Sequence, residues 1–244
     1  MITRFFAKTE ELSKKLNIDY VSDLGILDQS SAIFDFDSAA DFNPGDQQLI
    51  LHLLLDGKAD RLSFDLTDGE VAKRASQVSK SNEVIAKAIG CKSHYRPNVL
   101  DATAGMGRDS LMMAMLGCEV VMQERNFAIF HLLENALERL KNDSLTLCRQ
   151  DSIQSLTNDK QINVIYLDPM FPERKKTALV KKEMRLFKLL TGDDLDSDQL
   201  LSSALQSKVS RVVVKRPKGA PFLGDKKPSH EIKSKKFRYD VYLC

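Results

Sequence analysis

Asp168-Pro169-Met170-Phe171-Pro172 gathers an acid, an aromatic ring and two prolines into five residues. Proline fixes its own φ and restricts the residue before it, so Asp168 and Phe171 are held without help from a regular element. A carboxylate held this way can accept a hydrogen bond from an exocyclic base amine. The lone pair of such an amine is delocalised into the ring, so the nitrogen must be aimed at its electrophile. The Phe171 ring offers a stacking face for an extruded base, a contact worth about 1–3 kcal/mol. Taken alone, Asp-Pro also ends strands in plain turns.

A second constellation lies upstream. Asp101-Ala102-Thr103-Ala104-Gly105-Met106-Gly107-Arg108-Asp109 reads as a strand end, a glycine-bearing turn and a helix start. Gly105 and Gly107 let backbone approach a ligand closely, although Ser110 fills the third glycine position of a dinucleotide fingerprint. Glu124 closes the next apolar run, EVVMQE, where a carboxylate can accept both ribose hydroxyls of an adenosine-containing cofactor. Gln150-Asp151-Ser152 follows the third run, where the acid and hydroxyl can bond an adenine amino group or cap a helix, capping being the plainer role for Ser152. A cofactor with its methyl already activated on a sulfonium, S-adenosylmethionine, needs no metal, nucleophile or strong base. His52, His94, His131 and His230 are scattered without metal-ligand spacing, so no metal is expected.

Cations follow the acid loop. Arg174 and Lys175 stand in ERKK, Lys181 and Lys182 in LVKKEMRLFK, and Lys215 and Arg216 in VKRPKG. They are candidates for phosphate contacts that steer RNA without reading sequence, and a solvated helix face fits Lys181 and Lys182 equally well. The net charge of +2 hides an asymmetry: 17 basic and 22 acidic residues up to residue 150, then 19 and 12.

These residues need a scaffold. From residue 98, short apolar runs alternate with helix-length segments: NVLDAT, Arg108 to Leu116, EVVMQE, Phe127 to Leu140, SLTLCRQ and NVIYLD. Such alternation predicts a parallel sheet covered on both faces. Helices are expected over Ala178 to Leu190 and Ser197 to Ser207, then a strand RVVVKRP and an antiparallel edge strand FRYDVYL. Residues 70 to 89 read as a helical connector closed by Gly90. Residues 1–75 read as a small mixed lobe with a polar, helix-compatible opening and a hairpin of Leu49 to Asp56 with Arg61 to Leu66. Residues 76–244 form the main domain.

A chain of 244 residues with 43% hydrophobic content supports one substantial core and a small lobe. Cys91, Cys118, Cys148 and Cys244 are widely spaced, which fits a reducing cytoplasm. With no signal-like N-terminus and no apolar run near the ~20 residues of a membrane span, a cytoplasmic protein is expected.

DATAGMGRD, QERN, YLDPMFP, ALVKKEM and VVVKRP together resemble the bacterial family of small-subunit (16S) ribosomal RNA guanine-N2 methyltransferases, over about residues 65 to 244. The resemblance implies a class I, Rossmann-like α/β fold: a doubly wound, mostly parallel seven-stranded sheet with a small N-terminal α/β lobe. It implies an enzyme of rRNA processing that uses S-adenosylmethionine, with 16S rRNA or the small ribosomal subunit as partner. The family's cofactor contacts fall on Arg108, Asp109, Glu124, Arg125, Asp151, Ser152 and Asp168, beside Asp101, Gly105 and Gly107 of the turn. Asp168, Pro169 and Phe171 would serve catalysis. Two positions depart from the family pattern: ASQVSKSN replaces a glycine-rich basic stretch, and Asp151 stands where a small residue is frequent. From the residues alone, an adenine-N6 methyltransferase acting on DNA, a nucleotide-binding oxidoreductase and a non-catalytic RNA-binding module remain as alternatives.

Overall fold

The computed structural model describes residues 2–37, 47–79, 83–156, 161–170, 182–192 and 194–244. Its elements run β1 (Arg4–Ala7), α1 (Glu10–Leu16), β2 (Asp19–Tyr20), β3 (Ser31–Phe36), β4 (Leu49–Leu55), β5 (Lys58–Leu62), α2 (Gly69–Ser76) and α3 (Val84–Ala88). The alternating part follows as β6 (Val99–Asp101), α4 (Arg108–Met115), β7 (Val120–Gln123), α5 (Phe127–Leu140), β8 (Leu145–Cys148), α6 (Ser152–Ser155) and β9 (Val164–Leu167). It ends with α7 (Lys182–Thr191), α8 (Ser197–Gln206), β10 (Arg211–Pro217), β11 (His230–Lys233) and β12 (Phe237–Leu243). Spatial contacts group these into two units. The first takes the described residues up to Asp65 with Ala128–Lys141 and those of 173–193; the second takes the rest.

The first unit is built on a five-stranded sheet of order β2-β1-β3-β4-β5. The expected hairpin is present, but its second strand starts at Lys58 and ends at Leu62. Asp56 (φ 52°) and Gly57 (φ 75°) make a two-residue turn, so pairing resumes at once at Lys58. The first strand residues, Lys58, Ala59 and Asp60, carry no large apolar side chain, and apolar patterning passes over them. The opening also differs from its reading: α1 forms with Thr9 as N-cap, accepting from Leu12 N at 3.1 Å, but the strand RFFA precedes it. Asn135 of α5 accepts from Leu49 N at 2.8 Å and donates to Gln47 O at 2.9 Å. A buried amide thus satisfies backbone groups at the start of β4. On α7, Lys182 pairs with Asp60 at 2.6 Å and Arg185 with Asp56 at 2.5 Å.

The second unit carries a seven-stranded sheet of order β11-β12-β10-β9-β6-β7-β8. The strands from β6 through β10 are parallel, and β12 is antiparallel to both its neighbours. Leu100, Ile165, Leu167, Val212 and Val214 pack with Leu200, Leu201 and Ala204 of α8. Burying each of the Leu, Ile and Val side chains among them contributes about 1.5–3 kcal/mol. Tyr166 and Val213 are also buried, with the opposite parity, so the strands are apolar on both faces as a covered parallel sheet requires. FRYDVYL was expected at the edge, yet β12 lies inside and the edge is β11. HEIK is too short and polar to announce itself by periodicity. The connector of residues 70–89 is two helices, and Gly90 (φ 79°) closes the second as expected.

The strand order reverses between β6 and β9. Chain leaves those two strands in opposite directions, and the crevice opens at their carboxyl ends, beyond Asp101 and Leu167. Among the described residues no helix is long and apolar enough to cross a membrane, and no group of three or more His, Cys, Asp or Glu is placed to hold a metal ion.

Candidate active site

The glycine turn after β6 is stitched to the end of β7. Ala104 N donates to Gln123 O at 3.1 Å, and Gly105 N donates to Glu124 Oε2 at 3.1 Å. Gly105 (φ 53°) and Gly107 (φ 71°) are left-handed, a conformation that costs glycine nothing. Glu124 Oε1 also accepts from Asn126 N at 2.7 Å, so one buried carboxylate fixes two loops. Each oxygen retains a lone pair for a further donor. Burial pushes the Glu124 carboxyl pKa up, while the two N–H donors pull it down. Asp101, fully buried at the end of β6, accepts from Ser110 Oγ and from Thr103 N at 3.1 Å. Burial outweighs those donors and raises its pKa to about 7.

Across the crevice, Asp168 N donates to Thr103 Oγ1 at 2.6 Å, which ties the end of β9 to the glycine turn. Asp168 Oδ2 lies 2.8 Å from Lys215 Nζ on β10, and the same ammonium lies 2.7 Å from Asp109 Oδ2 on α4. Tyr166 OH donates to Asp109 Oδ2 at 2.5 Å. Burial works against the Lys215 charge, but the two carboxylates win and raise its pKa. Burial raises the Asp168 pKa while Lys215 draws it down. The Asp168 side chain keeps 38% of its surface exposed, so its second oxygen remains reachable from the crevice.

A third group of charges gathers on Arg125. It pairs with Asp196 and with Asp194 at 2.9 Å, and Asp151 lies 3.9 Å away. The hydrogen bond it donates to Asp196 is the largest influence raising its pKa. Asp194 Oδ2 also accepts from Met170 N at 2.7 Å, so Asp194 links the residue after Pro169 to the residue after Glu124.

The family profile of SAM-dependent methyltransferases matches residues 28–244. The chain belongs to this family. The small-subunit ribosomal RNA methyltransferase J of Pseudomonas fluorescens is 41% identical over 98% of this chain and 90% of that protein. The protein of the same name from Psychromonas ingrahamii is 47% identical, covering 77% of this chain and 78% of that protein. The crystal structure of a SAM-dependent methyltransferase from Neisseria gonorrhoeae superposes with a TM-score of 0.70 at 26% identity, covering 99% of this chain and 96% of that one. The fold is therefore the class I methyltransferase fold expected from the motifs, and the oxidoreductase and non-catalytic alternatives fall away. The family match begins at residue 28, well before residue 65.

Within this methyltransferase, the crevice brings together Asp101, Gly105, Gly107, Glu124 and Asp168, and Arg125 joins Asp151 beside it. Asp109 is turned to Tyr166 and Lys215. Arg108 is exposed at the start of α4, and Pro169 is buried. The cap of α6 is Asp151, which accepts from Ile153 N at 3.0 Å; Ser152 instead donates to Ala102 O at 2.7 Å. The expected capping role therefore moves one residue, since Ser152 is needed beneath the glycine turn. Phe171, Arg174, Lys175 and Lys181 lie outside the described residues, and Lys182 is held by Asp60 in the first unit.

Lys215 and Arg216 correct the reading of VKRPKG as a phosphate-facing run. Lys215 is occupied by two carboxylates. Arg216 is 4% exposed and donates to Pro221 O at 3.2 Å. On a strand covered on both faces, both parities point inward, so these cations find internal acceptors. Sequence reasoning also passed over Thr103, Tyr166 and Asp194 as structural members of the site. Thr103 was signalled by its place inside the glycine turn, whereas Tyr166 and Asp194 carry no local mark.

Proposed function

We propose that this methyltransferase moves a methyl group from S-adenosylmethionine to the exocyclic N2 of a guanine in small-subunit (16S) ribosomal RNA. The carrying observation is the Asp168 carboxylate, held by Thr103 at its backbone N–H and by Lys215 at Oδ2, directly across from the glycine turn. The relatives named for small-subunit ribosomal RNA methylation supply the substrate class.

The donor set fits the cofactor. The two left-handed glycines leave backbone open to close approach, and Glu124 has lone pairs to accept ribose hydroxyls. Asp168 presents a carboxyl group suited to a cationic sulfonium and its ammonium end, while buried Asp101 braces the glycine turn through Thr103 N. When bound, S-adenosylmethionine supplies an activated methyl and leaves as S-adenosylhomocysteine. The free Asp168 oxygen accepts a hydrogen bond from one N2–H of guanine and turns the nitrogen lone pair toward the methyl carbon. As the nitrogen gains its methyl it sheds one proton, for which Asp168 is the nearest acceptor. Phe171 is assigned the stacking face, and Pro169 the stiffness of the loop. The same reading assigns Arg108, Arg125, Asp151 and Ser152 to the cofactor side. It places the protein in the cytoplasm with ribosomal RNA or the small subunit as partner, and needs no metal.

Tritium-labelled S-adenosylmethionine offered to small ribosomal subunits, deproteinised 16S rRNA and duplex DNA tests the reading. Label should enter RNA and, after digestion to nucleosides, co-migrate with N2-methylguanosine. Label confined to DNA, or an RNA product methylated elsewhere, would refute it.

A further inference from the structure

With Lys215 and Arg216 turned inward, the second unit has to meet RNA through other residues. β12 is antiparallel to β10, with Phe237 opposite Pro217 and Lys215 opposite Tyr239. The β11–β12 turn therefore sits at the carboxyl edge of the parallel strands, the edge that carries Asp168. Lys235 and Lys236 occupy the two central positions of that turn, both exposed. Ser234 N donates to Phe237 O at 2.8 Å and Phe237 N donates to Ser234 Oγ at 3.1 Å, so a serine side chain closes the turn and leaves its tip to two lysines.

Lys218 belongs to the same surface. It follows β10 directly, and Arg238 Nη1 pins that loop by donating to Lys218 O at 3.1 Å and Ala220 O at 2.8 Å. The nearby acids are already engaged. Asp240 holds Arg238 at 2.7 Å, and Glu231 lies 3.4 Å from Lys233 and 3.7 Å from Arg238. Among the described residues, Lys218, Lys235 and Lys236 have no carboxylate within ion-pair distance. The patch is also continuous with the site: the Phe237 ring, next to Lys236, lies 5.5 Å from Lys215 Nζ, which touches Asp168.

We infer that the Lys235-Lys236 turn, with Lys218 beside it, is a docking surface for the RNA sugar–phosphate backbone flanking the nucleotide presented to Asp168. This rests on the ribosomal RNA reading above. Lysines on an edge strand also discourage edge-to-edge pairing. These three, however, stand on turns at one end of the sheet and leave the length of β11 to other residues. A rigid basic tip beside an acidic site meets phosphate as the target base enters.

The experiment compares K235E/K236E with K226E/K227E, an equal charge change. Lys226 lies toward the other edge of the sheet, where Tyr242 OH donates to Lys226 O at 2.8 Å and Leu243 pairs with Arg211. With small subunits as substrate, K235E/K236E should raise KM at least tenfold and leave kcat within twofold. Loss of two phosphate contacts should also flatten the slope of log affinity against log salt by about 1.4–1.8. Affinity for S-adenosylhomocysteine, read by calorimetry, should match the unsubstituted protein, and K226E/K227E should match it throughout. Unchanged KM and salt slope in K235E/K236E, or equal losses in both variants, would overturn the docking surface while the RNA reading stands. Absence of transfer to RNA by the unsubstituted protein would overturn both.

Discussion

Lys215 Nζ stands 2.8 Å from Asp168 Oδ2 and reaches Asp109 Oδ2 at 2.7 Å, so one ammonium joins the acid at the end of β9 to the second residue of α4. The pairing fixes which Asp168 oxygen is occupied and which faces the crevice. It also favours the ionised form of a carboxyl whose pKa burial raises.

Lys215→Met removes that cation. Without it the Asp168 pKa rises, so the acid limb of the kcat–pH profile should move to higher pH. Lys215→Arg should restore most of the shift. Breaking a partly buried pair also removes a stabilising contact, so Tm should fall as well. Destabilisation alone does not displace a pH limb, and an unmoved limb in a folded Lys215→Met protein would remove Lys215 from the positioning of Asp168.

Asp168→Asn keeps the shape of the side chain. To face the Lys215 ammonium, the amide must turn its only acceptor there, which leaves an NH2 toward the guanine amine, donor against donor. Transfer should drop by about 10²–10⁴-fold, the usual worth of a positioned proton acceptor. S-adenosylhomocysteine affinity, read by calorimetry, should fall far less than turnover, because the lost contact to the cofactor's ammonium end is one ground-state interaction and the lost proton acceptor acts in the transition state. Turnover within a factor of ten of the original would dismiss Asp168 as the acceptor.

Glu124→Gln acts on the cofactor side. Glu124 takes N–H donors on both oxygens, from Gly105 and Asn126, and glutamine can answer only one. A charged hydrogen bond is worth about 1.5–3 kcal/mol, so Kd for S-adenosylhomocysteine should weaken about tenfold to a hundredfold. The kcat at saturating cofactor should change little. An unaltered Kd would mean that Glu124 only braces the turn.

What the sequence disclosed, and what it hid, follows from range. The glycine turn and the acid loop are local: their residue types and spacing act within a few positions, and the run of apolar segments from Val99 onward declares the parallel strands. Lys215 is 106 residues from Asp109, and nothing in VKRPKG distinguishes an inward lysine from an outward one. Asp194 reaches Met170 across 24 residues for the same reason. β11 was missed because an edge strand of four polar-leaning residues has no apolar period to read, and that omission placed β12 at the edge. The Asp56–Gly57 turn was marked only by its glycine, and the true start of β5 depended on the positive φ of Asp56.

Asp101 ties the site to the pH dependence of folding. Its folded-state pKa is about 7 against 3.8 for the free side chain, because burial outweighs the donors Ser110 and Thr103. The folded protein therefore binds a proton at Asp101 that the unfolded chain releases, and between about pH 4 and pH 7 this group makes stability fall as pH rises. Above pH 7 the full penalty is present; below pH 4 it is absent. Asp101→Asn cannot ionise, and the Ser110 hydroxyl can rotate to accept from the amide. In urea titrations the variant should gain on the unsubstituted protein by a few kcal/mol on going from pH 5 to pH 8, since about three pKa units correspond to roughly 4 kcal/mol. Differencing the two proteins cancels the titration of Glu124 and Asp168, which burial also raises. An equal stability difference at both pH values would show that Asp101 is ionised in the folded protein at pH 5, its charge carried by Ser110 and Thr103.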